Sequence, residues 1–145
     1  MPDDEPLDSA LDWVAEHTLR YVASGGTERL DWEGMPCLVL TTMGRTSGRQ
    51  RRNALGYGRD GDDLVVVASK GGSPRNPLWY LNLVAEPRVT VQVGPEVFDA
   101  VARTVDDPAE RARLWAVMSA TWPAFDDYQA RTDRVIPVVR ISRAG

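Results

Sequence analysis

Four arginines lie within nine residues of the segment GRTSGRQRR, which runs from Gly44 to Arg52. The chain as a whole is acidic, with a formal net charge of −4, so the overall composition does not explain this cluster. A guanidinium group presents a planar set of donors that matches carboxylate and phosphate oxygens in pairs. The segment therefore predicts a binding site for an anion. A solvated arginine-rich hairpin is the alternative, because runs of like charge usually lie on the surface.

The acidic residues avoid this region. All 21 of them lie outside residues 34–59 and 64–85, and those two ranges hold seven cations: Arg45, Arg49, Arg51, Arg52, Arg59, Lys70 and Arg75. Lys70 is the only lysine of the chain and opens the segment KGGSPRNP. Gly71 and Gly72 allow the backbone there to approach a ligand closely. A compact ammonium beside backbone N–H groups suits an oxyanion, and an ordinary surface lysine is the alternative.

No set of side chains indicates nucleophilic or metal chemistry. The single histidine, His17, and the single cysteine, Cys37, have no partners at the spacing of a metal site or a catalytic triad. Gly56-Tyr57-Gly58 is only a fragment of a dinucleotide fingerprint. The carboxylate pairs at 106–107 and 126–127 fit helix starts, where capping explains them. We therefore predict no metal site and expect the chemistry to belong to a bound cofactor.

Length and composition favour a single small cytoplasmic domain. The 145 residues are 43% hydrophobic, which is enough for one compact core. The apolar runs, such as Leu64 to Ala68, are far shorter than the roughly 20 residues that cross a bilayer. The acidic N-terminus MPDDEPLDSA is unlike a signal peptide. Nucleic acid is not expected as a partner, because the remaining surface is acidic and no aromatic residues alternate with the arginines.

The elements that carry these residues predict a mainly β (α+β) fold. Alternating or continuous apolar residues favour six strands, at 37–42, 52–57, 64–68, 89–93, 96–105 and 135–142. Helices are predicted at about 8–23, from Asn76 to before Pro87, at about 106–120 and at about 121–132. Asn76 is expected to cap the second helix, with Pro77 at its first position. Mostly hairpin connections indicate an antiparallel sheet closed or nearly closed into a barrel, with about four helices outside it.

Three segments together resemble the deazaflavin (coenzyme F420)-dependent nitroreductase family: LTTMGRTSGRQRRNAL, ASKGGSPRNPLWYLNLVAEPRVTVQV and DDYQARTDRVIPVV. The resemblance covers roughly residues 36–140. It implies an antiparallel split β-barrel like that of FMN-binding proteins, with coenzyme F420 in place of FMN. It also implies one domain over residues 1–145, with the barrel at about 36–142 and the N-terminal helix at about 8–23.

The resemblance also implies a set of cofactor-binding residues. The phosphate and polyglutamate tail of F420 would be held by Arg45, Thr46, Ser47, Arg51, Arg52 and Asn53. The deazaflavin would be lined by Ser69, Lys70 and Gly71, and its ring and linker framed by Asn76, Leu78, Trp79, Tyr80 and Asn82. Core packing is the alternative for Trp79. FMN fits the sequence less well, because its one phosphate would leave most of the arginines unused.

The implied activity is hydride transfer from reduced F420 to a planar hydrophobic acceptor, a quinone first and nitroaromatic compounds second. The best-known member of the family has tyrosines at the positions of Trp122, Phe125 and Tyr128, in the segment that covers the substrate. Tyr128 and Phe125 are therefore the candidate catalytic residues, and only Tyr128 keeps a hydroxyl that could supply a proton. The missing hydroxyl at Phe125 puts nitroimidazole reduction in doubt.

Several expectations about partners accompany this assignment. A binding protein that holds F420, or an apolar ligand such as a fatty acid, without turnover is the alternative to an enzyme. A weak homodimer is expected. Peripheral membrane contact is expected where the quinone is lipophilic.

Overall fold

The computed structural model describes residues 31–32, 35–69 and 75–144 of the chain. The predicted helix at about 8–23, with His17, lies outside the described residues. So do Lys70, Gly71 and Gly72.

Eight strands form one sheet in the described chain: β1 (Asp31–Trp32), β2 (Met35–Met43), β3 (Gln50–Gly56), β4 (Gly58–Asp60), β5 (Asp63–Val67), β6 (Arg88–Val93), β7 (Glu96–Thr104) and β8 (Val138–Arg143). The order across the sheet is β1-β2-β6-β7-β8-β5-β4, and β3 also pairs with β2. Every one of these pairings is antiparallel. The antiparallel fold class predicted from the sequence is confirmed.

The sheet curls because β3 and β4 are almost continuous in sequence. β3 lies beside β2 near one end of the strand order and β4 is at the other end, yet only Tyr57 separates the two strands. Neighbouring Cα atoms are about 3.8 Å apart, so the two ends of the sheet must come together. The Tyr57 N–H donates to the Pro36 carbonyl at 3.1 Å, which holds this junction against the start of β2. The result is a curled half-barrel.

Apolar side chains at alternate positions of the strands fill the inside of this barrel. Leu38 and Leu40 of β2, Val91 of β6 and Val66 of β5 are fully buried in one cluster. Side chains point to opposite faces at successive strand positions, so their neighbours face outward. The main core therefore lies within the curled sheet.

Three helices are described: α1 (Leu78–Ala85), α2 (Pro108–Thr121) and α3 (Ala124–Ala130). Asp107 caps α2 as expected, since its Oδ2 accepts the Glu110 N–H at 2.8 Å. The predicted Asn76 cap of α1 is wrong, because α1 begins one residue later with Pro77 at the cap position and no side-chain cap. The Asn76 amide oxygen instead accepts a hydrogen bond from Arg134. None of the described helices is long and apolar enough to cross a membrane.

Helices α2 and α3 cover the outer face of β5 and β8. Val65 and Val67 of β5 pack into a second cluster with Leu114 and Met118 of α2 and with Phe125 of α3. Because Val66 faces the barrel interior, β5 is buried on both faces. This double burial explains why the segment LVVVA is a continuous apolar run rather than an alternating one.

Two of the eight strands were not expected from the sequence. β1 and β4 both lie outside the six strand ranges predicted from the sequence. β4 has only three residues, and it is recognisable only by its pairing with β5, in which Asp60 faces Asp63. Gly61 makes the tight turn between them with a positive φ of 61°.

An ionic network joins this turn to α2, β7 and β8. The guanidinium of Arg140 donates to Glu110 at 3.0 Å, to Asp63 at 2.6 Å and to Asp60. Its side chain is only 12% exposed. Hydrogen bonds from Arg113 and then Arg140 hold the pKa of Asp60 well below its usual range. The pKa of Glu110 is lowered in the same way, first by Arg103.

This network predicts a loss of stability in acid. A lowered pKa contributes stability that is fully present above the ordinary carboxyl pKa of about 4 and is lost as the pH falls below it. Arg140→Gln should lower the free energy of unfolding at neutral pH by roughly 1–3 kcal/mol, because three carboxylates lose a donor. It should also flatten the decline with acid, as measured by urea denaturation at neutral and acidic pH. Arg88→Gln, which removes only the exposed pair with Glu86, is the control. An unchanged acid dependence in Arg140→Gln would contradict the prediction.

Candidate functional site

The arginine-rich segment forms a tight hairpin loop between β2 and β3, at residues 44–49. The Gly44 N–H donates to the Arg49 carbonyl at 2.7 Å, and the Gly48 N–H donates to the Gly44 carbonyl at 2.9 Å. A Cβ at Gly44 would lie 2.9 Å from the Arg49 carbonyl oxygen, a backbone atom, and 2.5 Å from the Ser47 Oγ, so the turn favours glycine at this position. Gly48 has a positive φ of 69°. The loop therefore presents Arg45, Thr46 and Ser47 to solvent in a defined backbone conformation.

Strand β3 carries the next three predicted contacts. Arg51, Arg52 and Asn53 pair with Thr42, Thr41 and Leu40 of β2. Because side chains alternate along a strand, Arg51 and Asn53 lie on one face and Arg52 on the other. Arg51 is exposed, and the other two are half-buried.

Positive charge in the loop is not neutralised by the described chain. Within residues 31–32, 35–69 and 75–144, no carboxylate oxygen lies within 4.0 Å of Arg45, Arg49 or Arg51. Four of the described acids are paired with arginines of the C-terminal half: Glu86 with Arg88, Glu96 with Arg143, and Asp60 and Asp63 with Arg140. The buried Nε of Arg49 has no hydrogen-bond acceptor among the described residues. These donors therefore suit an external anion.

Asn82 of α1 anchors the loop to the barrel. Its side chain is 7% exposed. The Asn82 Nδ2 donates to the Thr42 hydroxyl at 3.3 Å, and its Oδ1 accepts the Arg45 N–H at 3.1 Å. The oxygen and the nitrogen of this buried amide thus both have hydrogen-bond partners, as is usual for buried polar groups. The first arginine of the loop is held by a residue of α1, 37 positions along the chain.

The other predicted contacts on α1 have different surroundings. Trp79 is buried in the barrel core with Leu83, at 6% exposure. The Tyr80 hydroxyl shares a hydrogen bond of 2.8 Å with the Thr104 hydroxyl of β7. Leu78 is 70% exposed and offers an apolar surface at the start of the helix. Core packing thus accounts for the position of Trp79, and the contacts of all three with a cofactor stay predictions.

Ser69 and Asn76 are brought together by a residue that the sequence reasoning missed. The Arg134 Nη2 donates to the Ser69 carbonyl at 2.7 Å, and its Nη1 donates to the Asn76 Oδ1 at 2.8 Å. Burial lowers the pKa of Arg134, although a guanidinium stays charged at neutral pH. Nothing in the local sequence around Arg134 points to partners that lie 58 and 65 residues away.

The two candidate catalytic residues lie side by side on α3. Phe125 is 6% exposed and packs against Trp115 and Tyr128, at ring distances of 6.3 and 6.1 Å. Tyr128 is half-buried, with the Arg131 guanidinium 5.7 Å from its ring centre. Phe125 is therefore part of the core beneath α3, and Tyr128 reaches the surface. Their roles at a substrate stay predictions.

The described residues contain no group of three or more His, Cys, Asp or Glu side chains placed to hold a metal ion. The donors gathered near α1 are arginine, hydroxyl, amide and backbone groups, which are the groups that bind oxyanions. This set of donors is therefore suited to hold an extended anion along the loop and β3.

Comparison with known proteins identifies relatives of this chain. Residues 13–142 match the family described as F420H(2)-dependent quinone reductase. A Mycobacterium tuberculosis protein named F420H(2)-dependent quinone reductase is 45% identical over 111 residues, which are 74% of this chain and 74% of that protein. Another M. tuberculosis protein, named as a putative F420H(2)-dependent quinone reductase, is 37% identical and matches 72% of this chain and 87% of its own length.

Solved structures show the same fold. A structure described as an F420-H2 dependent reductase (FDR-A) has a TM-score of 0.68 and 38% identity, and covers 74% of this chain and 94% of its own. One described as a domain-swapped dimer has a TM-score of 0.71 and 37% identity, and covers 92% and 100%. HutZ from Vibrio cholerae, at 17% identity and a TM-score of 0.59 over 87% of this chain and 89% of its own, shares the fold alone.

The anchor formed by Asn82 predicts a coupled effect on stability and on the loop. Asn82→Ala should lower the free energy of unfolding by about 1–3 kcal/mol, because buried groups lose their partner. The Arg45 amide should exchange its hydrogen faster, as measured by hydrogen exchange of the folded protein. Gln92→Ala, which removes another amide hydrogen bond, from Gln92 Nε2 to the Gly94 carbonyl, should leave Arg45 protected. Unchanged protection of Arg45 in Asn82→Ala would show that Asn82 does not hold the loop.

Proposed function

This chain belongs to the F420H(2)-dependent quinone reductase family, and we propose that it transfers a hydride from reduced coenzyme F420 to a quinone. The observation that carries the proposal is the anchored arginine loop, whose positive charge is not neutralised by the described carboxylates. The family match spans residues 13–142 and so includes this loop, β3 and α1.

The residues present fit the chemistry of coenzyme F420. A phosphodiester and a tail of several carboxylates form an extended anion that needs more than one cation. Arg45, Arg51 and Arg52 would hold this tail and phosphate together with Thr46, Ser47 and Asn53. The buried Nε of Arg49 would gain an acceptor from the same tail. FMN, with one phosphate, would use only part of this donor set.

The protein's part in the reaction is binding and orientation. Bound F420 supplies the hydride, with little access to one-electron chemistry. Ser69, Lys70 and Gly71 would line the deazaflavin, and Asn76 and the exposed Leu78 would help to frame its ring and linker. A quinone that accepts a hydride also needs one proton to become a hydroquinone. The Tyr128 hydroxyl is our candidate for that proton donor.

The comparisons support catalysis rather than binding without turnover, since the relatives are named as reductases. Reduction of nitroaromatic compounds stays a prediction. The relative described as a domain-swapped dimer supports the expected homodimer for this chain. Peripheral membrane contact and a cytoplasmic location also stay predictions.

The charge of the loop predicts which cofactor binds and how salt affects it. F420 should bind more tightly than FMN in calorimetric titration. Replacing Arg45, Arg49 and Arg51 together by Gln should raise the dissociation constant for F420 at least about tenfold, because three exposed or half-buried cations each lose a contact worth up to about 1 kcal/mol. The same variant should lose most of the salt dependence of binding, since exposed charges are screened within about 8 Å at physiological salt.

Arg88→Gln combined with Arg143→Gln serves as the control, because these arginines are exposed and already paired with Glu86 and Glu96. Its affinity for F420 should stay close to that of the wild type. Equal or tighter binding of FMN would contradict the cofactor assignment. Tight binding of reduced F420 without oxidation by a soluble benzoquinone would favour the non-catalytic alternative.

The candidate proton donor can be tested without disturbing its packing. Tyr128→Phe keeps the ring that contacts Phe125 and Arg131. It should lower kcat for a benzoquinone about tenfold or more, with the affinity for F420 and the melting temperature unchanged. Tyr57→Phe is the matched control, because Tyr57 is also half-buried and has Arg59 5.6 Å from its ring centre. An equal kcat in the Tyr128→Phe and wild-type enzymes would place the proton source elsewhere.

A further inference from the structure

The guanidinium of Arg134 connects two parts of the chain that flank the predicted deazaflavin site. Its Nη1 donates to the Ala68 carbonyl at 3.2 Å and to the Asn76 Oδ1 at 2.8 Å, and its Nη2 donates to the Ser69 carbonyl at 2.7 Å. Ala68 and Ser69 follow β5, whereas Asn76 comes two residues before α1. One side chain thus spans the exit of a strand and the entry of a helix.

Arg134 is itself held by α3, the helix that carries Tyr128. The Gln129 Nε2 donates to the Arg134 carbonyl at 2.7 Å, and the Gln129 Oε1 accepts the Ile136 N–H at 3.0 Å. The Ala68 N–H donates to the Pro137 carbonyl at 3.0 Å, which aligns the same two segments. The backbone of Arg134 is therefore placed by both α3 and the extension of β5, and its side chain starts from a fixed position.

We propose that Arg134 is a positioning residue for the cofactor site, an inference that rests on the function proposed above. It sets the position of Ser69 relative to Asn76 and the first turn of α1, and links that arrangement to the helix of Tyr128. Its effect on the reaction is indirect, through Ser69 and Asn76. The use of Asn76 by Arg134 also explains why Asn76 does not cap α1.

The planar geometry of arginine suits this task. Two nitrogens of one guanidinium reach three oxygens, on residues separated by up to eight positions in the sequence. A lysine ammonium is a single point on a flexible stem and does not reproduce a rigid fork. The positioning role therefore predicts that Arg134→Lys restores only part of what Arg134→Gln removes.

Arg111 provides a matched control for simple loss of a buried bond. Its Nη2 donates to the Ile136 carbonyl at 2.7 Å, and burial lowers its pKa as it does for Arg134. This hydrogen bond ends at Ile136, two residues beyond Arg134, and involves neither Ser69 nor Asn76. Arg111→Gln thus removes a similar guanidinium-to-carbonyl contact without changing the flanks of the cofactor site.

The test compares Arg134→Gln, Arg134→Lys and Arg111→Gln with the wild type. Hydrogen exchange of the cofactor-free proteins is measured at the Ala68 amide, which is bonded to the Pro137 carbonyl, and at the Tyr80 and Leu81 amides, which are bonded to the Pro77 carbonyl. The affinity for F420 is measured by titration at a temperature where all the proteins are folded. Arg134→Gln should speed exchange at both places and raise the dissociation constant for F420 about tenfold. Arg134→Lys should be intermediate, and Arg111→Gln should match the wild type in both measurements even if its melting temperature falls.

Wild-type exchange and affinity in Arg134→Gln would overturn the proposal, as would an equal loss of affinity in Arg111→Gln. If Arg134→Gln does not fold, Arg134→Lys decides the matter by the same two measurements. Failure of the wild type to bind F420 would instead overturn the proposed function. The hydrogen-exchange comparison would still report whether Arg134 holds Ser69 and Asn76 together.

Discussion

Tyr57, the single residue between β3 and β4, determines how the described sheet must close. Strands that are separated only by Tyr57 cannot lie at opposite ends of a flat sheet, so the sheet must curl until its ends meet. Curling creates an enclosed interior, which the alternating apolar residues of β2, β5 and β6 fill. It also leaves the hairpin loop between β2 and β3 projecting from the barrel beside α1, where Asn82 can reach it. The position of the arginine loop beside α1 is thus a consequence of how the barrel closes.

Charge is divided between two regions with different tasks. Five arginines after residue 85 form ion pairs with carboxylates (Arg88, Arg103, Arg113, Arg140 and Arg143), and the network around Arg140 joins the β4–β5 turn to α2 and β8. In the loop and at the start of β3, the described carboxylates leave Arg45, Arg49 and Arg51 without an ionic partner. A surplus of unneutralised charge raises the free energy of the folded protein, and a bound anion offsets that cost. The division explains how an acidic protein can keep a strongly basic site.

Helix α1 is the common support of the site. Its buried face, with Trp79 and Leu83, packs into the barrel core. Asn82 holds the arginine loop from the same helix, and Asn76, just ahead of it, is held by Arg134. A cofactor that spans the loop and the end of β5 would therefore contact groups whose positions are set by α1 and by Arg134. Rigid support of this kind is what orientation of a hydride donor requires.

The sequence by itself was sufficient to predict the antiparallel barrel, the α2 cap at Asp107 and the basic character of residues 44–52, because alternation, capping and charge are local patterns. The family resemblance rested on short motifs and pointed to F420. Local patterns could not reveal β4, whose three residues become a strand only when β5 lies beside them. They also gave the wrong role for Asn76. Its side chain does not cap α1, because its oxygen accepts a hydrogen bond from Arg134, 58 residues away. Tertiary structure alone decided the long-range partners of Asn82, Arg134 and Arg140, because those hydrogen bonds join residues that meet only after the sheet has curled.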